Sequence, residues 1–511
     1  LDGGIADSVP VRLVREIRKA VTCDELAGEP RMSQQVGAQV EPQGFLLRIF
    51  PAMQYLEYRR MFYAAGLSSV SLWAMIVASG WLGYELTGNP SGTGIVTFAA
   101  IFPWVLAPFA GALADRFDRA RIVIICRIGA AVCALGLAYL AFSGQIAMWN
   151  LVLITLVSGL IRSGEMPAMQ ALLPNTVKLH ALLSAVTMAS MMQFGSKVVG
   201  PVAGPILQAF GAEWVFVGAA LFLVLSILQM TRMTTRSTGG IQGHAGGLFR
   251  DTAGHIRDGL RYLGRAPSVR LMIIMVSLHC MFTMAYDFSL LPAYADLILG
   301  GGQSEYGYLL MALGSGALIS SVGLSMLPIG AIRGRVFLVA GFISGASLVW
   351  VGFADSLLFA LIGSVIAGAS QAMFMVLTSA MIQAVVPDSV RGRVMSLYAM
   401  FAGGIMAVMI LANGLAADFI SIRPLLIGPG IIFAAIMIIA LVLPGIRSVV
   451  RNGELVEEGR RMVREVARQA VETVSSAVRP LELAARPAQQ HSAVEERLGS
   501  GGGGGAGGGG G

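Results

Sequence analysis

Residues 91–142 read SGTGIVTFAAIFPWVLAPFAGALADRFDRAR followed by IVIICRIGAAVCALGLAYLAF. Two apolar runs, each long enough to cross a bilayer core at about 20 residues per span, flank a short loop with Asp115, Arg116, Asp118, Arg119 and Arg121. A water-facing helix would keep one polar stripe over that length, and neither run has one. The unit is therefore a pair of membrane spans joined by a polar turn.

The same pattern extends in both directions. Twelve stretches qualify as spans: 61–85, 91–114, 122–142, 147–173, 181–208, 213–231, 271–295, 305–329, 336–354, 356–386, 394–417 and 424–444. The whole chain of 511 residues is 55% hydrophobic and 13% charged, with a mean hydropathy of +0.72. Residues 1–60 and 447–498 hold 33 of the 65 charged residues, so the middle is poorer still in charge. Such a composition excludes a soluble globular protein. The net charge of +7 does not point to nucleic acid, because the arginines sit in short loops between spans rather than on one soluble face.

Loop charge sets the orientation. The loops after the second, fourth, sixth, eighth and tenth spans hold 15 basic residues, and the other loops hold only Arg423. By the positive-inside rule the basic loops and both termini are cytoplasmic, which an even number of crossings satisfies. The first 44 residues are polar and mixed in charge, unlike a secretory signal. The expected location is the inner (cytoplasmic) membrane. Expected segments are a cytoplasmic N-terminal part (1–60), a six-helix bundle (61–231), a linker (232–270), a second six-helix bundle (271–444), a tail with a solvated helix (445–498) and a glycine coil (499–511). In the linker, Phe249, Ala253, Ile256, Leu260 and Leu263 recur at helical spacing opposite arginines and aspartates, the pattern of an amphipathic helix on the inner leaflet.

The two bundles are related in sequence. Pro174–His180 recurs 213 residues later as Pro387–Arg393, after the fourth and tenth spans respectively. Parallel repeats of this kind characterise secondary transporters, whose halves rock about a site near the bilayer midplane. The fold class is thus all-α, integral membrane, with twelve helices in two pseudo-symmetric six-helix bundles.

Chemistry of other kinds is missing from the sequence. The three lysines, Lys19, Lys178 and Lys197, do not follow a glycine, so no phosphate-binding loop for ATP is present. There is no HExxH, GxSxG or cysteine–histidine cluster, and Cys23, Cys126, Cys133 and Cys280 form no CxxC pair. Neither an enzyme nor a cofactor or metal is expected. An ion gradient remains as the energy source.

Three motifs carry a family resemblance. The run from Gly111 to Arg121, the preceding Gly83–Gly88, and Pro387–Arg393 resemble the major facilitator superfamily and, within it, the exporter branch that includes enterobactin and macrolide efflux proteins. The resemblance covers about residues 45–445. It implies that Asp115, with Arg116, Arg119 and Arg121, latches a cytoplasmic gate against a helix N-terminus of the other half; a purely topogenic basic loop is the alternative. Lys197, Gly200, Pro201 and Gly204 are similar to the superfamily's antiporter motif, although Ser196 and Pro205 stand where it has glycines. Close helix packing through the small-xxx-small pair Gly200 and Gly204 explains them equally well.

Charges inside spans must face protein or water, since each costs at least ~2.5 kcal/mol against lipid. Arg127, Arg162, Glu165, Lys197 and Asp287 lie well inside, with His279 near Asp287. Arg162 and Glu165, three apart, form either a structural pair or, as the resemblance suggests for Arg162, part of a proton-coupling site. Asp287 is the preferred proton carrier because no basic residue is near it on its own helix. His279 either relays the proton or only hydrogen-bonds. Trp73, Trp81, Met188, Met191, Met192, Met373 and Met375 either line an adaptable pocket or fill the helix interfaces. The expectation is a monomeric, proton-coupled exporter of an amphipathic small molecule, a siderophore-like metabolite or a drug. An importer of a small metabolite and a non-transporting scaffold or sensor are the other readings.

Overall fold

The computed structural model describes residues 50–106, 108–109, 118–178, 181–234, 248–325 and 331–442. Asp115, Arg116 and the expected tail helix and glycine coil lie outside the described residues. Every regular element among those described is a helix.

The first half contains α1 (Leu56–Thr87), α2 (Pro90–Ile101, continued as a 3-10 turn to Leu106), α3 (Arg119–Phe142), α4 (Met148–Arg162), α5 (Glu165–Leu172), α6 (Leu182–Val199), α7 (Ala203–Phe210) and α8 (Ala212–Thr231). The linker forms α9 (Leu248–Arg265). The second half contains α10 (Pro267–His279), α11 (Tyr286–Ser289), α12 (Leu291–Leu297), α13 (Gln303–Ser325), α14 (Ala331–Phe353), α15 (Leu357–Val385), α16 (Asp388–Ala416) and α17 (Ile422–Val442). Among the described residues, ten helical stretches are long and apolar enough to cross a membrane. The expected second span corresponds to the shorter Pro90–Leu106, and the expected fifth is divided at Gly200–Val202 into α6 and α7.

Local chemistry explains the ends. Asp118 caps α3, its carboxylate accepting from the backbone N–H of Ala120 and Arg121 at 2.9 and 3.4 Å. The α1–α2 turn needs a left-handed residue, supplied by Gly88 at φ 66°, and Pro90 opens α2 where its missing N–H costs nothing.

The helices are turned as membrane helices must be. On α3, Ile125, Ile128, Val132, Leu135 and Tyr139 face outward, while Cys126, Ala130, Ala134 and Ala138 face the bundle. Large apolar groups meet lipid and small ones meet neighbouring helices, because lipid tails give no hydrophobic reason to bury leucine. Within the first half α8 packs on α1 and α3; within the second, α14 packs on α15 and α17, and α13 on α15.

The halves meet at two equivalent seams, α2 against α16 and α6–α7 against α13. A Cβ added at Gly94 would lie 2.9 Å from Gly414 Cα, and one at Gly204 would lie 2.7 Å from Gly307 Cα. Gly94 and Gly307 are 213 residues apart, the spacing of the sequence repeat. In helix α9, Ile256 and Leu263 turn toward the protein, joining a cluster with Val394 and Leu397 of α16. Gly259 permits that approach, and Asp258 pairs with Arg393 at 3.2 Å.

Candidate functional site: a charged cavity between the halves

The seventh span is interrupted where the site lies. After α10 the chain makes a wider π turn at Cys280–Met284, then two short helices, the second with Pro292 in its first turn. Backbone groups freed inside a membrane need partners. Thr283 Oγ1 donates to His279 O at 2.8 Å, Ser289 Oγ to Ala285 O at 2.9 Å, and Gln371 Nε2 to Thr283 O at 3.3 Å. The irregular segment is thereby held in place and presents Asp287 to the interior.

Asp287 is 3% exposed and lines a cavity of about 10 Å³ with Trp73, Lys197, Phe288, Leu310 and Leu313. That volume is close to what one water molecule needs. Trp73 and Lys197 come from the first half, the other four from the second, so the cavity lies on the seam. The Lys197 ammonium sits 4.8 Å from the centre of the Trp73 ring, and Trp73 stacks on Phe288 at 5.9 Å. Lys197 and Asp287 form no ion pair within 4 Å; Tyr286 and Gln371 lie beside the carboxyl, whose Oδ1 has no hydrogen-bond partner among the described residues. Glycines bring the walls together: a Cβ at Gly314 would run into the Lys197 carbonyl oxygen, and one at Gly200 into Trp73 Cβ.

A second constellation lies wholly in the first half. Glu165 Oε1 accepts from Arg127 Nε at 2.8 Å and from Ser68 Oγ at 2.8 Å, while Arg162 Nη2 lies 3.8 Å from Glu165 Oε2. Arg162 also donates to Ser68 O at 3.1 Å. The nearer partner of Glu165 is thus Arg127 on α3, because a turn at Ser163–Gly164 separates Arg162 from Glu165. Ser68, which carries no signal in the sequence, links both.

His279 is enclosed elsewhere. Its ring stacks on Phe374 at 4.4 Å, meets Phe433 edge-on at 5.2 Å, and bonds through Nε2 to Ser344 Oγ at 3.0 Å. Of the gate residues, Arg119 Nη1 donates to Ala171 O at 2.9 Å and Arg121 is exposed.

The end of the molecule away from the arginine loops is closed by contacts between halves. Tyr84 donates to Asp296 Oδ2 at 2.6 Å, the Ser91 N–H to Asp418 Oδ1 at 3.0 Å, and the Ser304 N–H to Gln208 Oε1 at 3.2 Å. Ser91 and Ser304 are again 213 apart. Each opens a helix whose free N–H is capped from the opposite half, so the two caps repeat the pseudo-symmetry of the two glycine seams. Sequence reasoning missed these latches, although projecting Ser91 and Gly94 through the repeat spacing would have located their counterparts.

Two helical bundles, duplicated in sequence, closed at one end and enclosing charges on their seam, match one known architecture. The family profile of transmembrane secretion effectors, a major facilitator family, covers residues 50–469. The chain belongs to this family. Similar proteins include the multidrug efflux pump Tap of Mycolicibacterium fortuitum, 23% identical over 382 residues, which are 73% of this chain and 92% of Tap. An uncharacterised major facilitator transporter, YfiS of Bacillus subtilis, is 26% identical over 215 residues, 39% of this chain. The staphyloferrin A transporter of Staphylococcus aureus is 25% identical over 163 residues, 30% of this chain. The chain spans about half the length of YfiS, 48%, and 40% of the staphyloferrin A transporter. A POT family transporter solved with 5-aminolevulinic acid shares the major facilitator fold, with a TM-score of 0.61 at 12% identity over 75% of this chain and 95% of that one. The protein is therefore a multi-pass membrane transporter of the major facilitator type.

Proposed function

We propose that this transporter is a proton-coupled exporter of amphipathic small molecules, siderophore-like metabolites or drugs, working by alternating access across twelve spans with its basic loops and both termini in the cytoplasm of the inner membrane. The observation that carries the reading is the cavity on the seam, where Lys197 from one half and Asp287 from the other share a space without pairing. Groups on a seam change surroundings when the halves rock, so protonation there can bias which end is open. Asp287 is the proton carrier, and Asp115 with Arg116, Arg119 and Arg121 latches the cytoplasmic end when the other end opens. Lys197, Gly200, Pro201 and Gly204 bring the fifth span close enough to the eighth for the seam to close. Arg162 and Glu165 hold the first bundle together beside the site, and His279 serves the second bundle's packing. The relative described as a multidrug efflux pump supports export of drugs, and the staphyloferrin A transporter supports a siderophore-like substrate. The monomer is the working unit.

The test measures accumulation of an amphipathic fluorophore in cells with and without the protein, before and after the proton gradient is collapsed. Lower accumulation that depends on the gradient is expected. Gradient-dependent gain would make the protein an importer, and no difference would leave a scaffold.

A further inference from the structure

Among the charges lying well inside the described spans, away from their ends, the signs do not balance. Arg127, Arg162 and Lys197 bring three positive charges, and Glu165 and Asp287 bring two negative ones. Glu165 is fully engaged by the two arginines and Ser68. Its constellation therefore keeps one positive charge in excess, and Arg127 Nη1 is buried there without a partner among the described residues. Among the described residues the Lys197 ammonium has no hydrogen-bond or ion-pair partner and lies over the face of Trp73. A desolvated cation satisfied by a ring face alone retains three N–H donors for an acceptor.

We propose that, when the halves part and this water-sized space widens, it receives a substrate bearing one anionic group, a carboxylate, which docks on the Lys197 ammonium with its apolar body against Trp73 and Phe288. The inference rests on the transport reading and names the substrate class for that same cavity. With Asp287 ionised, one monoanion brings the interior to neutrality, the state in which occluding the site from water on both sides is cheapest. A cationic substrate would instead add to the positive charge already in excess inside the spans. The stacked Trp73–Phe288 pair spans the seam, so a flat apolar body wedged beside it touches both halves. Seating on Lys197 and Trp73 alone commits the substrate to the first half, and closure then brings Phe288, Leu310 and Leu313 over it.

Three probes with one fluorophore separate charge from greasiness: dansylglycine, dansylglycinamide and dansylcadaverine, an anion, a neutral compound and a cation. Binding to the purified full chain is read by fluorescence anisotropy. Dansylglycine is expected to bind tightest, and Lys197→Gln to weaken it by about tenfold or more, the loss of one charge-assisted hydrogen bond. Lys197→Arg, which keeps the cation, retains most of the affinity, and both variants are compared at equal monodispersity. Dansylglycine binding no tighter than the other two, or unchanged in Lys197→Gln, overturns the proposal. The same probes are then followed in proteoliposomes under a pH gradient. Binding of dansylglycine without gradient-driven flux supports the site and sinks the exporter reading. Flux of dansylcadaverine without dansylglycine binding does the reverse.

Discussion

The two charged regions differ in what they would lose when the halves move. Arg127, Glu165, Arg162 and Ser68 bond to one another within a single bundle, through α1, α3 and the α4–α5 turn. Rocking leaves those partners where they are. Lys197 and Asp287, from opposite sides of the seam, line one water-sized space without forming an ion pair. Movement changes what each of them sees. Buried charge alone is thus a poor marker of coupling; buried charge without a partner, placed between moving bodies, is a better one. The comparison separates two roles that share the same residue types.

The largest test is Glu165→Gln. Removing the carboxylate leaves two guanidinium groups buried together, and breaking a buried pair in this way costs about 3–5 kcal/mol. A large fall in the thermal unfolding midpoint and in membrane yield is expected, measured on purified protein. A variant that folds as well as the parent but loses gradient-driven transport would move Glu165 into the coupling machinery and erase the contrast with Asp287.

Asp287→Asn should do the opposite. The amide fills the same space, so yield and unfolding should change little. Gradient-driven flux should fall by about tenfold or more, the scale of an ordinary coupling free energy. Intact flux would remove Asp287 as the proton carrier.

The sequence reaches these regions unequally. Span boundaries follow from apolar run length, and the duplication from Pro174–His180 and Pro387–Arg393, both local features. That Asp287 sits in a span was equally plain. Its place opposite an unpaired Lys197 was not, because Lys197 meets it only after α6 and the seventh span fold against each other. The pairing of Arg127 with Glu165 escaped for the same reason, and the three-residue spacing of Arg162 and Glu165 pointed to the less intimate of two contacts. The π turn that aims Asp287 inward depends on Gln371 of another helix. Contacts between helices distant in sequence leave no periodic trace along either one.

A third test concerns the seam itself. At Gly94 any side chain meets Gly414 Cα and the Ile410 carbonyl, both backbone. Gly94→Leu should therefore cost the closed state about 1–3 kcal/mol by overpacking. A cysteine reporter, Ser91→Cys, should be labelled faster by a water-soluble maleimide in that background, while the N–H used in the Asp418 cap is retained. Unchanged labelling would mean that this end opens without separating α2 from α16.

The smallest effect is expected at Tyr84. Its hydroxyl reaches Asp296 from the opposite half, and the neighbouring Trp81–Tyr306 stack at 6.4 Å supports the same end of the seam. Tyr84→Phe keeps the ring and deletes one donor to a carboxylate that is only partly buried and can turn to water, so the closed state should lose about 1 kcal/mol. The Ser91→Cys reporter should then be labelled roughly fivefold faster, less than with Gly94→Leu. Combining the two changes sharpens the point. If the glycine seam and the Tyr84 latch close as one rigid contact, the double variant should gain little over Gly94→Leu alone, because a seam already wedged open has no hydroxyl contact left to lose. Additive effects would instead mean that α1 and α2 close on the second half independently, and that the first bundle does not rock as one body.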